Sequence, residues 1–269
     1  MDLKLEGKKA LVTGGSEGIG KAIALGLARE GVDVAICGRR LDVLEATANA
    51  IAEETGRKVF AIQTDLTKDE EAKNFVHKGH ELLGGVDIMI NNAGSAPGGV
   101  LEHLTEEDWS QALQLKFMGY VRCLRYVLPL MVKQGGGRVV NLIGNDGKKP
   151  SYWEIAPGAA NAAGYNLTMS LAGQYGKHGI SLVAVNPGPV RTERWAGLVG
   201  AMARDMGLSY EDADKLAPAS IPMGRIAETS DVADVVIMLA SPRTHYLTGT
   251  MIEVDGGQEK ALMDQLRDK

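Results

Sequence analysis

Cysteine is almost absent from this 269-residue chain. The two present, Cys37 and Cys123, each sit in an apolar segment. A disulfide framework is thereby excluded, and two buried thiols in a reducing cytoplasm are expected. Base is not in excess: 29 basic residues stand against 34 acidic ones, for a net charge of −5. That argues against a nucleic-acid surface. No apolar run reaches the roughly 18 residues a bilayer span needs, and the opening MDLKLEGKKA holds no apolar signal core. No membrane partner is expected. Histidine is scarce too. His77 and His80 lie three apart on a probable helix, with no carboxylate pattern to complete a coordination sphere, so no metal site is expected. Linkers and low-complexity segments are also missing. A hydrophobic share of 45% is enough for a core, and the length suits one large α/β domain over residues 1–269.

What the chain does have is alternation. Short apolar runs at 10–12, 32–37, 59–62, 86–90, 138–143, 180–185 and 250–254 read as strands. Helical patterns separate them, at 41–55 (closed by Gly56), 68–83 (ending at Gly84 and Gly85), 158–175 and 230–239. Thr105 is an N-cap candidate with Glu106, Glu107 and Asp108 in the first turn. It opens a long helix running towards Lys133, with a bend expected near Pro129. Repeated βα units with short turns imply a parallel sheet covered on both faces. Right-handed crossovers make that sheet doubly wound, a Rossmann-type α/β fold.

The chain is organised around Lys9–Gly20, KALVTGGSEGIG: strand, glycine turn, helix. Such a turn aims backbone N–H groups from a helix N-terminus, where partial positive charge suits a pyrophosphate. Glycine is needed where a Cβ would block the approach. Ligands of such sheets bind outside the carboxyl ends of the strands. Strand two ends in Gly38-Arg39-Arg40, with no acid to hold a ribose hydroxyl and two guanidiniums fit for a phosphate. NADP(H) is therefore favoured over NAD(H). Glu17, inside the glycine turn, runs against that preference. The remaining strand-end turns are Asp65-Leu66, Asn91-Asn92-Ala93-Gly94, Asn186 to Thr192, Leu247-Thr248-Gly249 and Val254 to Gly257.

The glycine spacing Gly14-x-x-x-Gly18-x-Gly20 after Thr13, followed by these turns in this order, resembles the short-chain dehydrogenase/reductase family over nearly the full length. The resemblance implies seven parallel strands, a nicotinamide cofactor, a small-molecule substrate and a homodimer or homotetramer. By position, Gly14, Ser16, Glu17, Gly18, Ile19 and Gly20 would surround the pyrophosphate, and Arg39 and Arg40 would meet the adenosine phosphate. Asp65 and Leu66 would flank the adenine, while Asn92, Ala93 and Gly94 would approach the ribose. Pro187, Gly188, Val190 and Thr192 would contact the nicotinamide side. The region around 191–225 is where relatives close over substrate. Trp153, Trp195 and the methionines near 202–206 would shape that lid or belong to the core.

The family's chemistry uses Asn, Ser, Tyr and Lys. Here those positions hold Lys116, Gly144, Pro157 and Asn161. Asn and Lys look exchanged, which suggests that Lys116 supplies the ammonium from the opposite helix, to stabilise an oxyanion or depress a neighbouring acid. Asn145 and Asn161 are then candidates to hold a substrate carbonyl, and Tyr152, Asp146 or Glu154 to transfer the proton. The expected function is an NADP(H)-dependent oxidoreductase of a small carbonyl, alcohol or enone with a non-standard catalytic set. A non-redox lyase or isomerase, and a non-catalytic NADP(H) sensor, are the alternatives.

Overall fold

Along the first strand, β1 (Lys9–Thr13), Ala10 and Val12 face one apolar layer and Leu11 the other. That is the two-residue alternation of a strand buried on both faces. The computed structural model describes residues 1–95 and 97–267. Six further strands join β1 in one sheet: β2 (Asp33–Gly38), β3 (Val59–Gln63), β4 (Ile88–Asn91), β5 (Gly137–Leu142), β6 (Ile180–Pro187) and β7 (Thr250–Val254). All pairings are parallel, in the order β3-β2-β1-β4-β5-β6-β7. The order reverses beside β1, between β1 and β4, which is where an open α/β sheet leaves a crevice.

Helices α1 (Gly18–Arg29), α2 (Leu41–Thr55) and α9 (Thr229–Ala240) cover one face, through Ile23, Leu27, Leu44, Ile51 and Val236. Helices α3 (Asp69–Leu83), α5 (Gly119–Gln134) and α6 (Ile155–Tyr175) cover the other, through Phe75, Val127, Met131 and Ala172. Between them in sequence stand α4 (Glu106–Ala112), α7 (Trp195–Met206) and α8 (Tyr210–Leu216), with α10 (Leu262–Arg267) near the end. Thr105 caps α4 as its sequence implies: it accepts from the Asp108 amide, and the Asp108 carboxylate accepts from the Thr105 amide in return.

One expectation changes. The long helix from Thr105 runs through Pro129 inside α5 but is not continuous from its start. It is interrupted earlier, by a π-turn over Leu113–Met118 that carries Lys116. The segment after β6 carries the helices α7 and α8. Helices α7 and α8 pack with Trp153, Leu262 and Met263 into a third apolar cluster above the carboxyl edge of the sheet. Trp195, Val199 and Met202 are its buried centre, so these residues form a folded cap with a core of its own. No helix among the described residues is long and apolar enough to cross a membrane.

Candidate active site

The turn after β1 is fixed from two sides. Asn92 donates through Nδ2 to the carbonyls of Thr13 and Gly14, at 3.0 and 3.1 Å. The amides of Asn92 and Ala93 donate to Thr13 Oγ1, at 2.8 and 3.0 Å. A Cβ on Gly20 would stand 2.1 Å from the Gly14 carbonyl oxygen. Gly20 therefore lets α1 pack onto the turn and does not itself reach the open space. Gly14 and Gly18 have φ of +65° and +55°, a conformation that favours glycine.

The turn opens onto a cavity of about 1140 Å³ that runs along the carboxyl edge of the sheet. At one end it is lined by Gly14, Ser16, Glu17, Gly18, Ile19, Gly38, Arg39, Arg40 and Leu66. Glu17 forms an ion pair with Arg40, whereas the Arg39 guanidinium has no hydrogen bond or ion pair among the described residues. Asp65 is not part of the lining. Its carboxylate accepts from the amide and hydroxyl of Thr67, at 3.0 and 2.7 Å, and so shapes the turn after β3. Asn92, Ala93 and Gly94 line the middle, with Pro187, Gly188, Val190 and Thr192 opposite. The Thr192 methyl closes over Gly18, where a Cβ would meet it at 3.3 Å. A helix start with free amides, glycine where bulk is forbidden and basic groups at the far end fit a dinucleotide.

The other end is lined by Lys116, Gly144, Asn145, Asp146, Glu154 and Pro157. Gly144 has φ of +152°, and a Cβ there would lie 2.5 Å from Asn161 Nδ2 and 2.7 Å from Asp146 Oδ1. The space beside Gly144 is thus filled by the side chains of Asn161 and Asp146. Asn161 Nδ2 donates to Asp146 Oδ1 at 2.6 Å. Asn161 is buried and outside the cavity lining, so it holds Asp146 and does not face a substrate carbonyl. Asn145 lines the cavity, but its amide donates to Gln258 Oε1 at 2.6 Å. Tyr152 is 37% exposed and does not line the cavity. Among the four residues singled out for catalysis, the structure brings Lys116 and Asn145 to the cavity, and leaves Asn161 and Tyr152 outside it.

Lys116 lays its aliphatic stem on Gly94, where a Cβ would meet Cγ at 3.0 Å. Burial pulls its pKa down. Asp146 and Glu154 oppose that pull, and Arg194 reinforces it. Glu154 also lines the cavity, and burial pushes its carboxyl up to about 8, aided by Asp146 and Asp264 and resisted by Lys116. The nearest alternative phenol is spent: Tyr120 donates to the Leu142 carbonyl at 2.7 Å, and burial raises its pKa further. Arg194 and Gln258 were not foreseen. Arg194 donates to the Gly94 carbonyl at 3.0 Å and lines the cavity beside Lys116. Its place at the start of the cap, next to Trp195, was the only signal in the sequence.

The sheet order, glycine turn and edge cavity define a Rossmann-type nucleotide-binding protein. The chain belongs to the short-chain dehydrogenase family, whose model matches residues 8–201. It is 37% identical to a short-chain dehydrogenase/reductase of Armillaria gallica over 256 residues, which are 94% of this chain and 96% of the relative. It is 33% identical to the 3-oxoacyl-[acyl-carrier-protein] reductase FabG of Staphylococcus epidermidis, over 93% of this chain and 98% of that one. In structure it resembles the L-sorbose reductase of Gluconobacter frateurii, solved with NADPH and L-sorbose. The TM-score is 0.90 at 30% identity, over 97% of this chain and all of that one. The actinorhodin polyketide ketoreductase solved with NADPH gives the same TM-score and identity, over 93% and 97% of the two chains. The chain is an oxidoreductase of this family.

Proposed function

We propose that the protein is an NADP(H)-dependent oxidoreductase of a small carbonyl, alcohol or enone, working without the family's usual Asn-Ser-Tyr-Lys set. One observation carries the reading: a single cavity joins the glycine turn and Arg39 to an end lined by Lys116, Asp146 and Glu154. When bound, the nicotinamide supplies or accepts the hydride. At the far end, Gly38 leaves room, no carboxylate ends β2, and the unpaired Arg39 offers a fork to a phosphate. FabG, L-sorbose reductase and the ketoreductase, with NADPH named for the last two structures, support the same cofactor and a carbonyl substrate.

Lys116 stabilises negative charge as it grows on the substrate oxygen, because its ammonium is held in a partly dry site and reorients little. Burial lowers the pKa of the lysine while Asp146 favours its charged form, and Asn161 keeps Asp146 in place. Asn145, which donates to Gln258 Oε1, shapes the floor. The cap over about 191–225 acts as the substrate lid, with Trp153, Trp195 and Leu198 giving it an apolar underside. The outer side of α6, with Met169 exposed and open space at Gly173, supports pairing of two copies into a homodimer or homotetramer.

The test is titration with NADPH and NADH, followed by tryptophan fluorescence. Oxidation of NADPH is then measured with a 3-oxoacyl thioester, L-sorbose, acetophenone and cyclohexenone. NADPH binding tighter than NADH, with turnover of at least one of the four, is expected. Binding of neither dinucleotide refutes the reading.

A further inference from the structure

Resting on that reading, we propose that the Glu154 carboxyl gives the substrate oxygen its proton in reduction and takes one from it in oxidation. Pro157, where the family places its tyrosine, has no proton to give. Glu154 lies three residues earlier, at the N-cap of α6, and both residues line the cavity. The N-cap side chain and that of the third helical residue meet across the first turn of a helix. Long side chains on a helix lean towards its N-terminus, so the space a tyrosine at 157 would sweep is the space in front of 154.

The other proton carriers at this end are engaged. Tyr120 donates to Leu142, Asp146 accepts from Asn161, and Tyr152 lies off the cavity. The Glu154 carboxyl has no hydrogen bond or ion pair among the described residues. Its backbone, in contrast, is pinned. The amides of Trp153 and Glu154 both donate to Ser151 Oγ at 3.2 Å. The amide of Gly99 donates to the Trp153 carbonyl at 2.7 Å, and that of Gly158 to the Glu154 carbonyl at 2.8 Å. The Trp153 indole donates to Asp205 of the cap at 2.7 Å. A free acid on a fixed support, inside the reacting cavity, is what proton transfer needs.

The surroundings set its charge. Asp146 from the turn after β5 and Asp264 from α10 oppose ionisation, Lys116 from the π-turn favours it, and Arg194 acts on Lys116. At neutral pH the carboxyl holds its proton, as an acid for reduction must. In reduction, the carbonyl carbon gains a hydride from the reduced nicotinamide, and the π pair moves onto oxygen. That oxygen takes the Glu154 proton: the carboxyl O–H breaks and the alcohol O–H forms. The resulting carboxylate is stabilised by Lys116 and regains a proton from water at the cavity mouth. Oxidation of an alcohol runs the same steps backwards. Asp146 acts as a positioning residue, through Glu154.

Four forms are compared: wild type, Glu154→Gln, Glu154→Asp and Asp146→Asn. Infrared titration of the cofactor-free protein follows the C=O stretch of a protonated carboxyl. NADPH binding is followed by fluorescence, and NADPH oxidation on the four carbonyl compounds across neutral and alkaline pH. The expected result is a carboxyl band lost near pH 8 in wild type, absent in Glu154→Gln, and lost at lower pH in Asp146→Asn. Glu154→Gln should bind NADPH like wild type and lose about 10³-fold in turnover, with partial recovery in Glu154→Asp. Reduction by wild type should fall as pH rises through the same point. Turnover by Glu154→Gln at the wild-type rate and with the wild-type pH profile overturns the assignment and leaves the oxidoreductase reading standing. Wild type that binds no NADPH, or binds it and reduces none of the four compounds, overturns that reading and the assignment with it.

Discussion

Replacing Glu154 by glutamine should make the protein more stable, and only above a certain pH. In the folded chain the carboxyl is pushed from 4.5 up to about 8 by burial and by the carboxylates of Asp146 and Asp264. In the unfolded chain it ionises near 4.5. Between those values the folded state holds one more proton than the unfolded state. Stability therefore falls as pH rises across that window and levels off above about 8. At about 1.4 kcal/mol per pH unit, the full shift corresponds to a ceiling of about 5 kcal/mol. Because the group lines an open cavity, solvent relieves part of this, and about 2 kcal/mol is expected. For a chain of this length, with an unfolding entropy of about 2 cal/mol/K per residue, that is about 4 °C in melting temperature. Glutamine keeps the shape of a protonated glutamate and does not titrate. Melting curves of the cofactor-free wild type and Glu154→Gln should coincide near pH 5 and separate by about 4 °C near pH 9, the variant being the more stable. Curves that stay parallel across the range would refute a carboxyl held protonated by its surroundings.

Lys116→Met should remain folded and bind NADPH normally, while losing about 10²-fold in turnover. It should also move the Glu154 titration to higher pH, since Lys116 is the one group holding it down. Unchanged turnover would remove the lysine from the chemistry. Gly144→Ser, which restores the family's residue, should cost about 2 kcal/mol of stability, read as a lower melting temperature. A Cβ at φ of +152° meets the buried Asn161–Asp146 pair. Arg39→Ala should weaken NADPH about tenfold and leave NADH unchanged, because the lost contact is a charge-assisted one to the extra phosphate. Glu17→Gln should tighten NADPH, by releasing Arg40 from its ion pair. Equal effects on both dinucleotides would place the two arginines outside the phosphate site.

The fold was legible because its signals are local and agree with one another. Helix α2 starts at Leu41 and stops at Thr55 before a left-handed Gly56, as its pattern and glycine imply. β4 is the weakest reading: Val86 is apolar and buried but stands before the paired residues, which begin at Ile88. Burial and pairing are separate properties, and hydropathy reports only the first. The π-turn at Leu113–Met118 could not be read at all. It adds no glycine or proline and leaves the apolar rhythm nearly intact, yet it sets the direction of Lys116. In the cap the apolar faces of α7 and α8 pack on one another and on Trp153, away from the sheet, so their partners could not be read from the strand–helix alternation.

The catalytic end shows why matching positions stops short of matching roles. Alignment leaves Asn161 where a lysine is usual, and suggests a polar group facing substrate. Its neighbours decide otherwise. Gly144 and Gly147 let the turn after β5 come down onto α6, where a Cβ on Gly147 would stand 2.7 Å from Asn161 Cβ. That descent covers Asn161 and delivers Asp146 in its place. The residues at 144 and 161 therefore fit one another around Asp146. Glycine at 144 admits Asp146, asparagine at 161 binds it, and proline at 157, in the first turn of α6, gives up a donor at no cost to the helix. A serine at 144 would meet that pair, its Cβ standing 2.5 Å from Asn161 Nδ2 and 2.7 Å from Asp146 Oδ1, unless the turn after β5 moved with it.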